Sequence, residues 1–293
     1  MQRIESRAEW VRAGARVAVT LRGAPRLVFR RVVGEAGRPW MTLLHGFPTS
    51  SWDWAAIAPS LATRWRLFAP DFLGFGESDK PAGHRYAIHE QADLVEALWG
   101  ELGITETTLV AHDYGDSVAE ELLARARDGV LAARLERVTF LNGGLWPDLH
   151  RPLPIQRLLH HRLLGPVVGR LATRTTYARG LRRTLAKPLD DAELDAHWEA
   201  FRARGGRAIS HRLMRYMDDR RAHEARWVGA LEASDGPPRQ FVWGARDPVS
   251  GGHVVPRMAA RLPSAPRLVL DDVGHYPQLE APERVAAAIL AFT

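Results

Sequence analysis

The run TTLVAH, residues 107–112, is β-branched and apolar, and only Asp113-Tyr114-Gly115-Asp116 separate it from a helical pattern running from Ser117 to Ala126. A strand that becomes a helix over so short a bend has no room for a loop, so the helix must pack back on the sheet that the strand enters. The same succession recurs nearby. WMTLLHG is a buried-type strand ending at Gly46, RWRLFAPD another ending at Asp71, and RVTFLNG a third ending near Asn142. Ile88 to Leu98 carries apolar residues at 88, 92, 95 and 98, the stripe of a helix with one covered face. Strand alternating with helix predicts an α/β chain whose mostly parallel central sheet is covered by helices on both faces. Ahead of it, ARVAVTLRG and RLVFRRVVG predict an opening hairpin turned through Gly23 to Pro25.

After Asn142 the rhythm breaks. From Leu145 to Trp227 the chain shows Pro-containing turns and helical patterns such as AELDAHWEAFRA and AISHRLMRYMDDRRAHEA, with no convincing strand. Strands return at RQFVWG and PRLVLDD, and PERVAAAILAF closes the chain as a helix. This predicts a core built from 1–144 and 228–293 and an inserted helical cap, or lid, at 145–227. Loops at the carboxyl ends of parallel strands meet above the sheet, so an insertion there covers the place where ligands bind.

Composition narrows the function classes. The chain has 293 residues, 46% of them hydrophobic, enough for one large core with a smaller subdomain. Cys is absent, which removes a disulfide framework, a thiolate nucleophile and sulfur ligation of a metal. The net charge of +6 comes from Arg scattered among acids, with no finger, ribbon or aromatic-basic pattern, so no nucleic acid is expected as a partner. Met1 to Gly14 alternates charges and lacks a long apolar run, which points away from a leader or membrane anchor and towards a cytoplasmic protein without a membrane partner. No cofactor or metal motif is present; His160-His161 has no acidic neighbour in sequence, and Gly74 and Gly76 lack the Lys-Ser/Thr of a phosphate loop.

Candidate chemistry gathers at strand ends. The bend after TTLVAH has the form of a nucleophile elbow with Asp113 in the central position, Ala111 and Gly115 being small enough for close approach. A carboxylate nucleophile needs a base to release it, and that base needs a second carboxylate to fix its tautomer. Asp247, in ARDPVSGGH after RQFVWG, and His275, in VGHYPQLE after PRLVLDD, complete the order nucleophile, acid, histidine. HGFP after WMTLL places the Phe47 N–H towards Asp113, with the Tyr114 N–H as second donor of an oxyanion hole and Pro48 unable to compete. Ser117 and Asp116 are read as helix residues, Asp71 as a residue that fixes its loop, and His45 as a brace for the hole.

Taken together, HGFPTSSWDW, DFLGFGESDKP, HDYG, WGARDPV and GHYPQLE resemble the α/β-hydrolase superfamily over essentially the whole chain. An Asp at the elbow resembles its epoxide hydrolase and haloalkane dehalogenase branch, and HDYGD, LNGGLWPDLHRP, RYMDDRR and RWVGAL are similar to the mesoderm-specific-transcript protein group. The resemblance implies the α/β-hydrolase fold and an alkyl-enzyme ester on Asp113, with Asp247 and His275 serving its hydrolysis. It also implies a lid tyrosine that donates a proton to an epoxide oxygen. Tyr216 matches the place of one such residue and Tyr177 is offered for the other, while Trp146 and Trp198 are candidate pocket residues. Dehalogenases of this branch carry Trp after the nucleophile and often Asn after the first His-Gly, where this chain has Tyr114 and Phe47. The expectation is therefore epoxide hydrolysis to a vicinal diol. Dehalogenation by the same chemistry is the enzymatic alternative, and a non-catalytic binding scaffold the other. The expected partners are a small apolar electrophile and water, acting on a monomer or homodimer.

Overall fold

The computed structural model describes residues 6–293; the first five residues of the charged segment Met1 to Gly14 lie outside them. Eight strands form one sheet: β1 (Ala15–Leu21), β2 (Ala24–Val33), β3 (Trp40–Leu44), β4 (Arg66–Pro70), β5 (Glu106–His112), β6 (Arg134–Leu141), β7 (Arg239–Gly244) and β8 (Arg267–Leu270). Their order across the sheet is β1-β2-β4-β3-β5-β6-β7-β8. β2 runs antiparallel to both β1 and β4, and every other pair is parallel. The opening hairpin turns one residue earlier than its sequence suggests. Arg22 and Gly23 both have positive φ, the two-residue turn that matches strand twist, and Pro25 already pairs with Thr20 inside the ladder.

Alternation along the central strands sends neighbours to opposite faces. In β5, Leu109 and Ala111 join one hydrophobic cluster and Val110 the other; in β3, Leu44 belongs to the first while Met41 and Leu43 belong to the second. The first cluster is closed by the helix Ile88–Leu102, whose Ile88, Ala92, Val95 and Leu98 are wholly buried, and by the elbow helix Tyr114–Arg127. The second is closed by the C-terminal helix Pro282–Phe292 through Val285 and Ile289. Each fully buried Val, Leu or Ile contributes about 1.5–3 kcal/mol relative to exposure. The helix over Ile88–Leu102 stops at Gly103, which takes the left-handed conformation of a C-cap.

Between β6 and β7 the chain is helical, from Pro154–His160 through Leu164–Leu171, Arg174–Arg182, Asp191–Arg202, Gly206–Leu213 and Tyr216–Ala222 to Glu224–Leu231. These helices form the inserted cap above the carboxyl ends of the parallel strands. Glu224–Leu231, the last of them, packs against the elbow helix, where the Trp227 indole donates to Glu121 at 2.8 Å.

Candidate active site

Asp113 sits between β5 and the elbow helix at φ 49°, ψ −105°, a backbone conformation that costs a non-glycine residue of order 1–3 kcal/mol. The bend survives because both sides are tight. A Cβ on Gly115 would stand 2.3 Å from the Leu44 carbonyl oxygen, and one on Gly46 would stand 2.6 Å from His112 Nδ1. Only glycine lets the helix start and the β3 loop close on each other there.

The strand-end residues converge as their sequence positions suggest. The Phe47 N–H donates to Asp113 Oδ2 at 2.9 Å. His275 Nε2 lies 3.8 Å from Asp113 Oδ1, and His275 Nδ1 is 2.8 Å from Asp247 Oδ2. Burial raises the Asp113 pKa above the ordinary carboxylate range, opposed by the charge of His275 and by the backbone N–H groups of Phe47 and Tyr114. For His275, burial works against the charged form. Asp247, as charge and as hydrogen-bond partner, outweighs it together with Asp113 and Glu280, and lifts the imidazole to about 9. Both Asp113 and His275 therefore hold a proton more tightly here than in water, the first through burial and the second through its carboxylate partners.

Asp247 is fixed from several directions. It accepts from Asn142 Nδ2 at 3.1 Å and from the Val249 N–H at 2.7 Å. Asn142 itself has φ 40° and bridges to Gly244 in both directions, tying the end of β6 to the end of β7. Its role was missed in the sequence, where it marked only a strand end; its position, like that of Asp247, was the available signal. His275 is held by its backbone as well: its N–H donates to the Thr184 carbonyl of the cap, and its carbonyl accepts from His112 Nε2–H at 2.8 Å. Tyr276 donates its hydroxyl to the Phe47 carbonyl at 3.1 Å, so the histidine loop also braces the loop that carries Phe47.

A cavity of about 340 Å³ opens beside these groups, within the range of small-molecule sites. His275, Tyr276 and Phe47 line its floor, and Leu159, Val168, Tyr177 and Leu181 line its cap side. It is a buried pocket suited to a small hydrophobic substrate. Tyr177 is thus among the residues that line it. Trp146 and Trp198 do not line the cavity: the Trp146 indole donates to Glu232 at 2.8 Å, and Trp198 packs its ring against Tyr177 and Phe201. Tyr216 is buried, with its ring 5.1 Å from that of Tyr114 and its hydroxyl beside the Arg220 side chain. Burial raises its pKa and the Asp113 charge raises it further, which keeps the phenol protonated.

Other residues take quieter places. Asp71 fixes its loop by accepting from the Ser51 and Glu77 N–H groups, and His45 accepts from the Phe72 N–H. His160 does have an acidic partner, Asp218 at 2.9 Å, brought by folding from 58 positions away. Asp53 was not singled out. It is fully buried, accepts from Thr49 Oγ at 2.5 Å, and faces His197 of the cap at 3.6 Å and His112 at 3.9 Å. Burial pushes it up to about 7, against the lowering effect of His197.

With the geometry in place, the matching family model is decisive. It describes the alpha/beta hydrolase fold and covers residues 39–282. The chain belongs to the α/β-hydrolase fold family. Within it the chain is 42% identical over 261 residues to the putative hydrolase LipZ of Mycobacterium tuberculosis, spanning 88% of this chain and 89% of that one. It is 40% identical over 280 residues to the human mesoderm-specific transcript homolog protein, with 91% and 82% covered. It is 28% identical to haloalkane dehalogenase 2 of Mycobacterium tuberculosis, over 88% and 89%. Among solved structures, haloalkane dehalogenase DbeA of Bradyrhizobium elkani superposes with a TM-score of 0.80 at 24% identity over 95% and 97% of the two chains. The epoxide hydrolase CorEH does so at 0.74 and 20%, over 95% and 98%. These last two are likenesses of fold. This α/β-hydrolase lies in the epoxide-hydrolase and haloalkane-dehalogenase branch, with its motif resemblance to the mesoderm-specific-transcript group matched by the alignment.

Proposed function

We propose that this hydrolase opens a small apolar electrophile through an alkyl ester on Asp113, which His275 and water then cleave. The observation that carries the reading is the split use of one carboxylate: Oδ2 rests on the Phe47 N–H while Oδ1 faces His275 Nε2. Oδ1 attacks carbon and the leaving group departs with its bonding electrons. Alkylation removes the negative charge that helped hold His275 protonated, so the imidazole releases its proton to solvent as the halide leaves and becomes a base. It then takes a proton from water, whose oxygen adds to the Asp113 carboxyl carbon. The oxyanion formed on Oδ2 is met by the Phe47 and Tyr114 N–H groups. Collapse expels the alkoxide, which takes the proton held by His275; the carboxyl group, now carrying one oxygen from water, passes its remaining proton to His275 and returns as the carboxylate.

For the leaving group, the relatives named for a reaction favour halide: a dehalogenase stands at 28% identity, whereas the epoxide hydrolase is a fold likeness at 20%. Haloalkane hydrolysis therefore ranks ahead of the epoxide opening expected from the motifs. A second reading rests on Tyr216 and its neighbours. Phe47 and Tyr114 offer a halide no side-chain N–H, while the buried Tyr216 phenol, which burial and the nearby Asp113 keep protonated, supports protonation of an epoxide oxygen. A panel of haloalkanes and epoxides, followed by halide release and diol formation, tests both. Under the first reading, Tyr216→Phe loses about tenfold or less in halide release; under the second it loses about 10²-fold or more in diol formation. His275→Gln should accumulate an adduct on the peptide bearing Asp113. An active wild type whose His275→Gln form carries no adduct would overturn the ester.

A further inference from the structure

The cap carries a surface that the hydrolytic site does not explain. From 151 to 189 the chain has nine Lys and Arg and not one Asp or Glu. Six of the eight exposed large hydrophobic residues among the described residues fall in the same stretch: Ile155, Leu158, Leu163, Leu164, Val167 and Leu171. The cause lies in the helix Leu164–Leu171. It buries its small face, since a Cβ on Gly169 would stand 2.5 Å from Ser210 Oγ and one on Gly165 would stand 3.0 Å from His211 Cβ. Leu164, Val167 and Leu171, at i, i+3 and i+7, are consequently turned to the outside, the reverse of an ordinary amphipathic helix. Leu163 is 79% exposed and Leu171 70%. Arg157, Arg162 and Arg170 interleave with them in sequence, are exposed, and form no ion pair with a carboxylate among the described residues. The patch runs into the cavity, because Ile155, Val168 and Leu171 also line its cap side.

A contiguous apolar patch rimmed by cations marks a binding surface. We propose that this face of the cap docks on an anionic lipid bilayer, lying in the headgroup layer with the leucines inserted and the arginines on lipid phosphates. Charge complementarity selects this occupant. Two copies meeting face to face about a twofold axis would set the same unpaired arginines against each other, which is costly. Aliphatic rather than aromatic side chains offer nothing for nucleic-acid bases to stack on. Basic residues beside inserted aliphatics are the composition of segments that lie on anionic membranes. The contact is peripheral: among the described residues no helix is long and apolar enough to cross a membrane. The absence of a membrane partner, expected from the lack of a spanning run, does not extend to such a surface contact. With the cavity mouth in this face, an apolar substrate enters from the lipid phase.

Sedimentation of the full chain with vesicles tests the proposal without any turnover. Vesicles of phosphatidylcholine containing about 30% phosphatidylglycerol should bind the protein at least about tenfold more tightly than phosphatidylcholine alone, and about 0.5 M salt should erase most of the difference. Leu163→Ser/Val167→Ser should weaken that binding about tenfold. Arg157→Glu/Arg162→Glu should remove the preference for anionic vesicles, and Leu27→Ser, an exposed residue of β2, should change nothing. Asp113→Ala should bind like wild type, so a failure of the ester chemistry leaves this result standing. Equal retention on both vesicle types would overturn the proposal. So would a wild-type dimer in sedimentation equilibrium that Leu163→Ser/Val167→Ser returns to monomer, which would make a second copy the occupant.

Discussion

Asp247 and Asp53 are both buried aspartates that face histidines, and their surroundings differ. Asp247 stands at the end of β7, 2.8 Å from His275, and its remaining acceptor positions are filled by Asn142 and the Val249 N–H. All of these groups come from loops of one rigid sheet. Asp53 joins two bodies instead: its Oδ2 accepts from Thr49 of the oxyanion loop, while Oδ1 has no hydrogen bond and faces His197 of the cap at 3.6 Å. His197 in turn lies 3.0 Å from Glu193, which accepts from the Trp52 indole of the core at 2.8 Å. A carboxylate saturated with donors fixes the orientation of its histidine. One that is short of donors makes a joint that opens at lower cost. The first pair thus fits the chemistry proposed above, and the second links the cap to the core.

The largest effect that could break this assignment is at the centre. Asp113→Ala should lower kcat on any substrate found by about 10⁴-fold or more while leaving the fold intact, since alanine keeps only the Cβ that the bend already accommodates. A variant retaining a tenth of wild-type kcat would place the nucleophile elsewhere. Next comes the joint. His197→Ala removes the cap's partner from a fully buried carboxylate and should cost about 3 kcal/mol in chemical denaturation, with faster proteolysis of the cap than of the sheet. A loss under about 0.5 kcal/mol would mean that the joint carries no load and that the two aspartates differ only in position.

The comparison also explains what could be read in advance. Asp113, Asp247, His275 and Phe47 each lie in the bend or loop that follows a strand, so locating the strands located the candidate site; the sheet, the covering helices and the cap insertion followed from the same periodicities. Asp53 and His197 are 144 positions apart in sequence, and no local pattern announces that a Trp-flanked Asp and a helical His will be buried together. The same limit applied to the lid. Trp146 and Trp198 carry the composition of pocket residues, yet helix packing turned one towards Glu232 and the other into a ring cluster. The bare outer face of Leu164–Leu171 likewise depended on which side its glycines would bury.

Acidity gives a smaller handle on the same two pairs. His275 is raised to about 9 from an ordinary 6.5, so its contribution to stability is complete below about 6.5 and is lost as pH rises through about 9. Asp53, raised to about 7, acts with the same sign: burying it favours the protonated form, and stability falls as pH climbs from the ordinary carboxylate range through about 7. Unfolding free energy should therefore fall between about pH 4 and pH 9, by at most about 3 kcal/mol for the His275 part. Asp247→Asn should flatten the upper half of that fall and His197→Ala should alter the lower half. A fall that survives Asp247→Asn unchanged would show that His275 does not draw its proton affinity from that partner.

The smallest expected effect separates the elbow from its neighbours. Ser117 lies on the elbow helix one turn past Asp113, buried, with a hydroxyl that meets no hydrogen-bond partner. A serine used as a nucleophile would have a base within reach, whereas His275 is already committed between Asp247 and Asp113. Ser117→Ala exchanges an unsatisfied hydroxyl for the best helix former, so stability should stay level or rise by up to about 0.5 kcal/mol, with kcat/KM unchanged. A loss of activity comparable to that of Asp113→Ala would move the reactive atom from the bend into the helix, and the pairing of carboxylate and imidazole across the sheet would then need another purpose.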